Sequence, residues 1–168
     1  GTGSGALLLA VLANLPQARG VGLDRSAGAL AVAEENARAL GLAGRARMVA
    51  ANWHRLGWSQ DLGGPFDLIL ANPPYVEDDA VLDRSVRGFE PAEALFSGPE
   101  GLDDYRVLIP RLPPLLAPGG HALIEIGHRQ AEAVGAIGAA AGLTAALHRD
   151  LGGRPRVVAF SGIPPRSA

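Results

Sequence analysis

The sequence of 168 residues contains no cysteine, few aromatic residues and no long uninterrupted hydrophobic run. Without cysteine, the chain cannot form a disulfide framework, a thiolate nucleophile or a cysteine-ligated metal site, which fits the reducing cytoplasm. No stretch of about 18 apolar residues is free of charged residues, glycine or proline, so no membrane span is predicted. No charged-then-apolar leader indicates export.

The chain also has no large excess of positive or negative charge. The 15 basic residues, all of them arginine, nearly balance 17 acidic residues and leave a formal net charge of −2. The arginines are scattered along the chain, whereas a surface that holds nucleic acid by counterion release needs a basic patch. The composition therefore favours a protein substrate over nucleic acid. The four histidines show no metal-ligand spacing, so no metal site is predicted.

Hydrophobic residues make up 48% of the chain, enough for one α/β domain with a buried core. Helical and strand patterns alternate along the sequence, which predicts a doubly wound, Rossmann-like sheet. Helices are predicted at residues 6–15, 26–40, 101–117 and 128–142. Strands are predicted at residues 19–24, 45–50, 66–71, 120–126, 143–149 and 156–161. We assign residues 1–161 to the domain and residues 162–168 to a mobile tail.

A glycine-rich loop precedes the first predicted helix. It consists of Gly1, Thr2, Gly3, Ser4 and Gly5. Glycines let backbone approach a ligand at a helix N-terminus, where unpaired N–H groups collect. Asp24 ends the next predicted strand, 19 residues after Gly5 (24 − 5), close to the roughly 20-residue offset of an acid that binds a ribose. These features predict half of a nucleoside-cofactor site. Asp24 is also placed to start the next helix, and the two roles are compatible.

The most informative stretch is the tetrapeptide Asn72-Pro73-Pro74-Tyr75, which follows the apolar strand predicted at residues 66–71. Two successive prolines lock φ and remove two N–H donors, so the loop offers acceptors, namely its carbonyls and the Asn72 amide oxygen. Acceptors that hold both N–H groups of a planar amine or amide aim its lone pair at an electrophile, while Tyr75 covers the planar face. An Asn-Pro turn is otherwise common in loops.

Further motifs occur along the chain in a recognisable order. They are Gly-Leu-Asp-Arg at 22–25, Glu-Asn-Ala at 35–37, Asn-Trp at 52–53, Phe-Glu-Pro at 89–91, Pro-Gly-Gly at 118–120 and Glu-Ile-Gly at 125–127. Together they resemble the class I S-adenosylmethionine-dependent methyltransferases, and within these the peptide chain release factor N5-glutamine methyltransferases. The tetrapeptide is shared with adenine-N6 and guanine-N2 methyltransferases. The segment Phe89-Glu90-Pro91 narrows the resemblance to the glutamine enzymes.

The resemblance implies S-adenosylmethionine as cofactor and a cytoplasmic release factor as partner, methylated on a glutamine side-chain amide. It assigns cofactor binding to the glycine loop, Asp24, Asn52, Trp53 and Asn72. In this assignment Trp53 packs on the adenine, and Asn52 stands where the family often has an acid, which weakens a hydrogen bond to that base. Catalysis falls to Asn72, Pro73 and Tyr75, and Pro74 completes the substrate-binding set.

The resemblance further implies a strand leading into the glycine loop and an amino-terminal helical domain, neither of which is in these residues. The sheet is therefore expected to be incomplete at its first strand. Residues 76–100 lack periodicity and are predicted to form a lid or specificity loop. Two alternatives stay open. One is a nucleic-acid amino-group methyltransferase that uses the same tetrapeptide, and the other is a truncated, non-catalytic remnant.

Overall fold

The structure is a computed structural model that describes residues 1–80 and 94–162. The chain divides into two compact units, residues 1–63 and 64–168. The predicted segment Phe89-Glu90-Pro91 and the tail from residue 163 lie outside the described residues. None of the helices in the described ranges has the length and apolar character that crossing a bilayer requires.

The first unit contains two helices and two parallel strands. They are α1 (Ala6–Asn14), β1 (Gly20–Asp24), α2 (Ala27–Ala39) and β2 (Ala46–Ala50). The strands pair in register from Gly20 beside Ala46 to Asp24 beside Ala50. Leucines of α1 meet the end of α2 in a buried cluster of Leu9, Leu12, Ala37 and Leu42. This packing holds the short α1 in place, because an isolated helix of nine residues is not stable in water.

The second unit is a four-stranded mixed sheet with helices packed on it. Its elements are β3 (Phe66–Ala71), α3 (Asp103–Leu108), β4 (Leu116–Glu125), α4 (Ala131–Ala140), β5 (Leu143–Arg149) and β6 (Pro155–Gly162). The strand order is β3-β4-β6-β5, with β3 and β4 parallel and the other two pairings antiparallel. Tyr105, Ile124, Val134 and Phe160 are fully buried and form part of the core of this unit.

Most of the predicted elements are found close to their predicted positions, but the helix predicted at residues 101–117 is wrong. The α-helix ends at Leu108 and is followed by the 3-10 turns Ile109–Arg111 and Pro113–Leu115. Pro110, Pro113 and Pro114 lack the N–H that an α-helix needs in its interior. The chain then enters β4 at Leu116, four residues before the predicted strand start at residue 120. The last strand includes Gly162, the first residue of the predicted tail.

The described strands form two sheets instead of one continuous sheet. Among the described residues, β1 pairs only with β2, and β3 pairs only with β4. One edge of β1 and one edge of β3 are therefore without a described partner strand. This division agrees with the expectation of a doubly wound sheet that is incomplete at its first strand.

Candidate active site

The glycine loop of the first unit turns sharply into α1. Gly5 has φ +81°, in the left-handed region that favours glycine, and its carbonyl accepts the first helical hydrogen bond from the Leu9 N–H at 2.8 Å. A Cβ added at Gly5 would lie 3.2 Å from the Cβ of Ala33 and 3.2 Å from a methyl of Leu9. A side chain at this position would thus strain the backbone and crowd both helices.

Asp24 connects the loop to the start of α2. One carboxylate oxygen accepts from the Ser26 N–H at 2.9 Å and the other from the Gly3 N–H at 2.9 Å. The residue is only 8% exposed. Burial raises the pKa of Asp24, but hydrogen bonds from Ser26 and Gly3 are among the effects that outweigh burial and place this pKa below its ordinary value. The ionised carboxylate therefore has the expected structural role at the helix start.

Two further contacts fix the loop. The Thr2 N–H donates to the Leu23 carbonyl at 2.6 Å, and the Asn36 side-chain amide donates to the Ser4 carbonyl at 2.9 Å. Sequence reasoning assigned no role to Asn36, although this residue lies in one of the family motifs. Its position within α2 gives no local signal that the amide reaches a loop 32 residues away. With β1 and α2 both bound to it, the loop presents a fixed backbone at the N-terminus of α1.

Asn52 and Trp53 follow β2 after one intervening residue, Ala51, beside the end of β1. The Ala51 N–H donates to the Asp24 carbonyl at 3.0 Å, so the structure places these residues near Asp24 at the same end of the two-stranded sheet. The Asn52 side-chain oxygen accepts from the His54 N–H at 2.9 Å and closes a tight turn. Trp53 is half-buried within that turn. The roles of Asn52 and Trp53 toward an adenine stay predictions.

The tetrapeptide of the second unit follows β3 without any intervening residue. Asn72 is exposed, Pro73 is fully buried, and Pro74 and Tyr75 are half-buried. Burial raises the pKa of Tyr75, and the neighbouring Glu125 carboxylate raises it further. The Tyr75 hydroxyl therefore stays neutral at physiological pH. The exposed Asn72 is followed by the fully buried Pro73, which stiffens the backbone next to it.

Hydrogen bonds join the two described ends of the segment that is predicted to form a lid. The Val76 N–H donates to the Leu95 carbonyl at 2.9 Å, and the Ser97 N–H donates back to the Val76 carbonyl at 2.9 Å. These bonds hold the two described ends of the segment side by side, with Phe96 bridged to Val76. Residues 81–93 lie outside the described part of the chain, so the lid itself stays a prediction.

The predicted site residues thus form two groups. The glycine loop, Asp24 and the Asn52-Trp53 turn gather at one end of the β1-β2 sheet in the first unit. Residues 72–75 stand at the carboxyl end of β3 in the second unit. In open α/β sheets the carboxyl ends of strands are where ligands bind. The first group is suited to a nucleoside because it combines glycine backbone that a ligand can approach, an ionised carboxylate and an aromatic ring. The second group offers hydrogen-bond acceptors and is suited to a ligand with N–H donors.

Known proteins resemble this chain along most of its length. A family model described as a methyltransferase domain matches residues 1–134. A release factor glutamine methyltransferase of Rhodospirillum rubrum is 45% identical over 159 residues, which are 93% of this chain and 47% of that protein. A protein of the same description from Caulobacter vibrioides is 45% identical over 161 residues, 94% of this chain and 54% of that protein. The chain therefore spans about half the length of these relatives.

A solved structure supports the fold assignment. The crystal structure of a methyltransferase from Pyrococcus furiosus matches with a TM-score of 0.69 at 17% identity, covering 97% of this chain and 73% of that one. At this identity the likeness concerns the fold alone, and it confirms the predicted α/β, Rossmann-like fold. The family model extends over more than half of the residues, and the chain therefore belongs to the methyltransferase-domain family.

Proposed function

We propose that this chain is the catalytic part of an enzyme that transfers a methyl group from S-adenosylmethionine to the side-chain amide nitrogen of a glutamine in a translation release factor. The proposal rests on the 45% sequence identity between this chain, over 93% of its length, and a release factor glutamine methyltransferase. The acceptor loop at the end of β3 supports the same chemistry independently. A release factor as substrate and the absence of cysteine also favour a cytoplasmic enzyme.

The residues of the first unit fit the proposed cofactor. The fixed glycine loop would hold its methionine part, the Asp24 carboxylate would accept from the ribose hydroxyls, and Trp53 would pack on the adenine. The Ser26 and Gly3 N–H groups donate to different Asp24 oxygens, and a carboxylate offers about four lone-pair sites in all. When bound, S-adenosylmethionine supplies an activated methyl group on a sulfonium, and the protein supplies binding and orientation.

The residues of the second unit fit the proposed substrate. A glutamine amide has two N–H donors, and the Asn72 side-chain oxygen and the Pro73 carbonyl are two acceptors on one stiff loop. Holding both N–H groups would fix the plane and the lone pair of the amide nitrogen, and Tyr75 would cover the amide plane. The amide proton can leave to water after methyl transfer, so no strong base is required. Glu125 is therefore not needed as a base. One of its carboxylate oxygens lies 3.8 Å from a guanidinium nitrogen of Arg156.

The proposal is tested with the full-length protein that contains this chain. Tritiated S-adenosylmethionine is supplied together with a release factor, duplex DNA and ribosomal RNA, and the label in each is counted. We expect label in the release factor, and none after an exposed-loop glutamine of that factor is replaced by alanine. Label in nucleic acid without label in protein would contradict the proposal and favour an exocyclic-amine methyltransferase. Absence of label in every substrate would also contradict the proposal.

A further inference from the structure

Gln130 stands at a junction of three backbone segments in the second unit. Its side-chain amide nitrogen has two N–H groups and lies within hydrogen-bond distance of three carbonyl oxygens, those of Tyr75 at 3.0 Å, Gly101 at 3.1 Å and Glu100 at 3.3 Å, so that one N–H is shared. Its side-chain oxygen accepts from the Gly127 N–H at 3.0 Å. The polar groups of this one side chain are thus all used to join the end of the acceptor loop, the turn before α3 and the turn after β4.

The backbone of Gln130 is itself held in place. Its N–H donates to the Gly127 carbonyl at 3.0 Å, and its carbonyl accepts from the Val134 N–H at 2.9 Å as α4 begins. Val134 is fully buried, and Gly138 of the same helix lies against the ring of Phe160. The amide therefore projects from the N-terminus of a helix that is packed on the sheet, and this packing helps to fix its position.

The packing around the Tyr75 carbonyl leaves little room for another arrangement. Gly101 has φ +65°, and a Cβ placed there would lie 2.3 Å from the Tyr75 oxygen and 2.8 Å from the Gln130 amide nitrogen. A Cβ at Gly127 would lie 2.7 Å from the Gln130 side-chain oxygen. Both turns approach the Gln130 amide as closely as glycine backbone permits.

The acceptor loop is therefore fixed at both ends. Its first end continues from β3, where Ala71 pairs with Ile124 of β4. Its last end is fixed where the Tyr75 carbonyl accepts from Gln130. Two prolines between these points restrict φ, so a shift of Tyr75 must be passed along the loop toward Asn72 instead of being absorbed within it.

We propose that Gln130 is a positioning residue for methyl transfer: by binding the Tyr75 carbonyl it sets the orientation of the Asn72–Tyr75 loop and hence of the bound amide. This inference rests on the proposed function. Gln130 acts through the loop and does not itself bind the substrate. Its loss should lower turnover, because a displacement of about 1 Å in a positioning group can reduce a rate by roughly 100-fold.

The test uses two variants of the full-length protein. Gln130→Glu keeps the size and the acceptor for Gly127, but it has no N–H and sets a negative charge against three carbonyl oxygens. Gln130→Met keeps the approximate length of the side chain without charge or hydrogen bonds. It replaces the Glu variant in the test if that variant does not fold. Arg129→Gln is the matched control, since it also changes the charge by one negative unit at a neighbouring exposed residue.

We measure kcat and KM for the release factor, the Kd for S-adenosylmethionine by calorimetry, and Tm. For both Gln130 variants we expect kcat to fall about 10- to 100-fold, with Kd within about two-fold of wild type. The Arg129→Gln enzyme should match wild type. Normal kcat in both variants, or a loss of cofactor affinity as large as the loss of kcat, would overturn the positioning role.

A spectroscopic measurement separates this inference from the proposed function. The protein is labelled with 3-fluorotyrosine, and the fluorine resonances of Tyr75 and Tyr105 are assigned by the Tyr75→Phe and Tyr105→Phe variants. In Gln130→Glu or Gln130→Met we expect the Tyr75 resonance to move, and in the Arg129→Gln control we expect it to stay. An unmoved Tyr75 resonance would overturn the inference even if release factor methylation is observed. A moved resonance supports loop positioning even if the methyl acceptor is a different molecule.

Discussion

The exposed amide of Asn72 follows a strand whose last residue, Ala71, is paired with Ile124. Replacing Asn72 by alanine should therefore change the chemistry without unfolding the sheet. We predict that Asn72→Ala lowers kcat of the full-length enzyme by roughly 100-fold, by analogy with the loss of one preorganised polar group in other active sites. Cofactor Kd should change by no more than a few-fold, because the lost acceptor acts mainly on the amide in the transition state.

The control for this prediction is Asn14→Ala, which removes an exposed asparagine amide that donates to the Ala10 carbonyl at 2.9 Å on α1. Single-turnover kinetics of the two variants and the wild type give the rate of methyl transfer free of product release. An Asn72→Ala enzyme with the turnover of Asn14→Ala would remove Asn72 from the proposed mechanism.

Asp24 holds the glycine loop against the start of α2 and is also proposed to bind the cofactor ribose, and one substitution distinguishes these two roles. Asp24→Asn keeps the volume and one acceptor oxygen but removes the charge that serves both Gly3 and Ser26. We predict weaker binding of S-adenosylmethionine by about 10-fold or more, since a charge-assisted hydrogen bond contributes roughly 1.5–3 kcal/mol. We also predict a lower Tm.

Calorimetric titration and thermal unfolding of Asp24→Asn measure these two effects separately. The matched change is Asp103→Asn, which alters a carboxylate on the exposed start of α3 that is paired with Arg106 at 3.0 Å. A reduced Tm with unchanged cofactor affinity would limit Asp24 to holding the loop against α2.

At the scale of elements, a hydrogen bond from the buried Tyr105 side chain joins α3 to β4. The Tyr105 hydroxyl donates to the Glu125 carbonyl at 2.9 Å, and the side chain has no solvent exposure. Burial raises the pKa of Tyr105 well above its ordinary value. A folded pKa above the unfolded one, which is about 10, means that the associated stability is complete below pH 10 and is lost as pH rises beyond it.

We therefore predict that the free energy of unfolding falls steeply above about pH 10, and that Tyr105→Phe reduces this dependence. At pH 7 the same variant should be less stable by about 1 kcal/mol, the usual cost of one hydrogen bond. Denaturant titrations of both proteins from pH 7 to pH 11 provide the comparison. Equal alkaline losses in wild type and Tyr105→Phe would show that this phenol does not govern the response.

The sequence predicts a helix or strand well where neighbouring residues alone set its bounds. The strand predicted at residues 66–71 has its observed bounds, because an apolar run ends there just before two prolines. The helix predicted at residues 101–117 is too long, because its apolar content obscures Pro110, Pro113 and Pro114. The contacts of Asn36 and Gln130 could not be predicted, since they join segments 32 and 55 residues apart, and no local pattern encodes such pairings.

At the scale of the whole molecule, the motifs placed the candidate site residues at strand ends and helix starts, as the fold requires. The sequence did not predict that the Asp24 oxygens both bind backbone N–H groups, because this depends on the geometry of a loop and a helix start together. At this scale the net charge of −2 supports the proposal of a protein substrate over a nucleic acid.

Mass spectrometry can locate the methyl group that we propose is placed on a glutamine side-chain amide of a release factor. A release factor is incubated with the full-length enzyme and S-adenosylmethionine, digested, and mapped by fragment-ion sequencing, with Asn72→Ala enzyme run in parallel. We expect one methylated glutamine with the wild-type enzyme and a strongly reduced yield with Asn72→Ala. A methyl group on another residue type, or an unmodified release factor beside a methylated nucleic acid, would show that the enzyme is not a release factor glutamine methyltransferase.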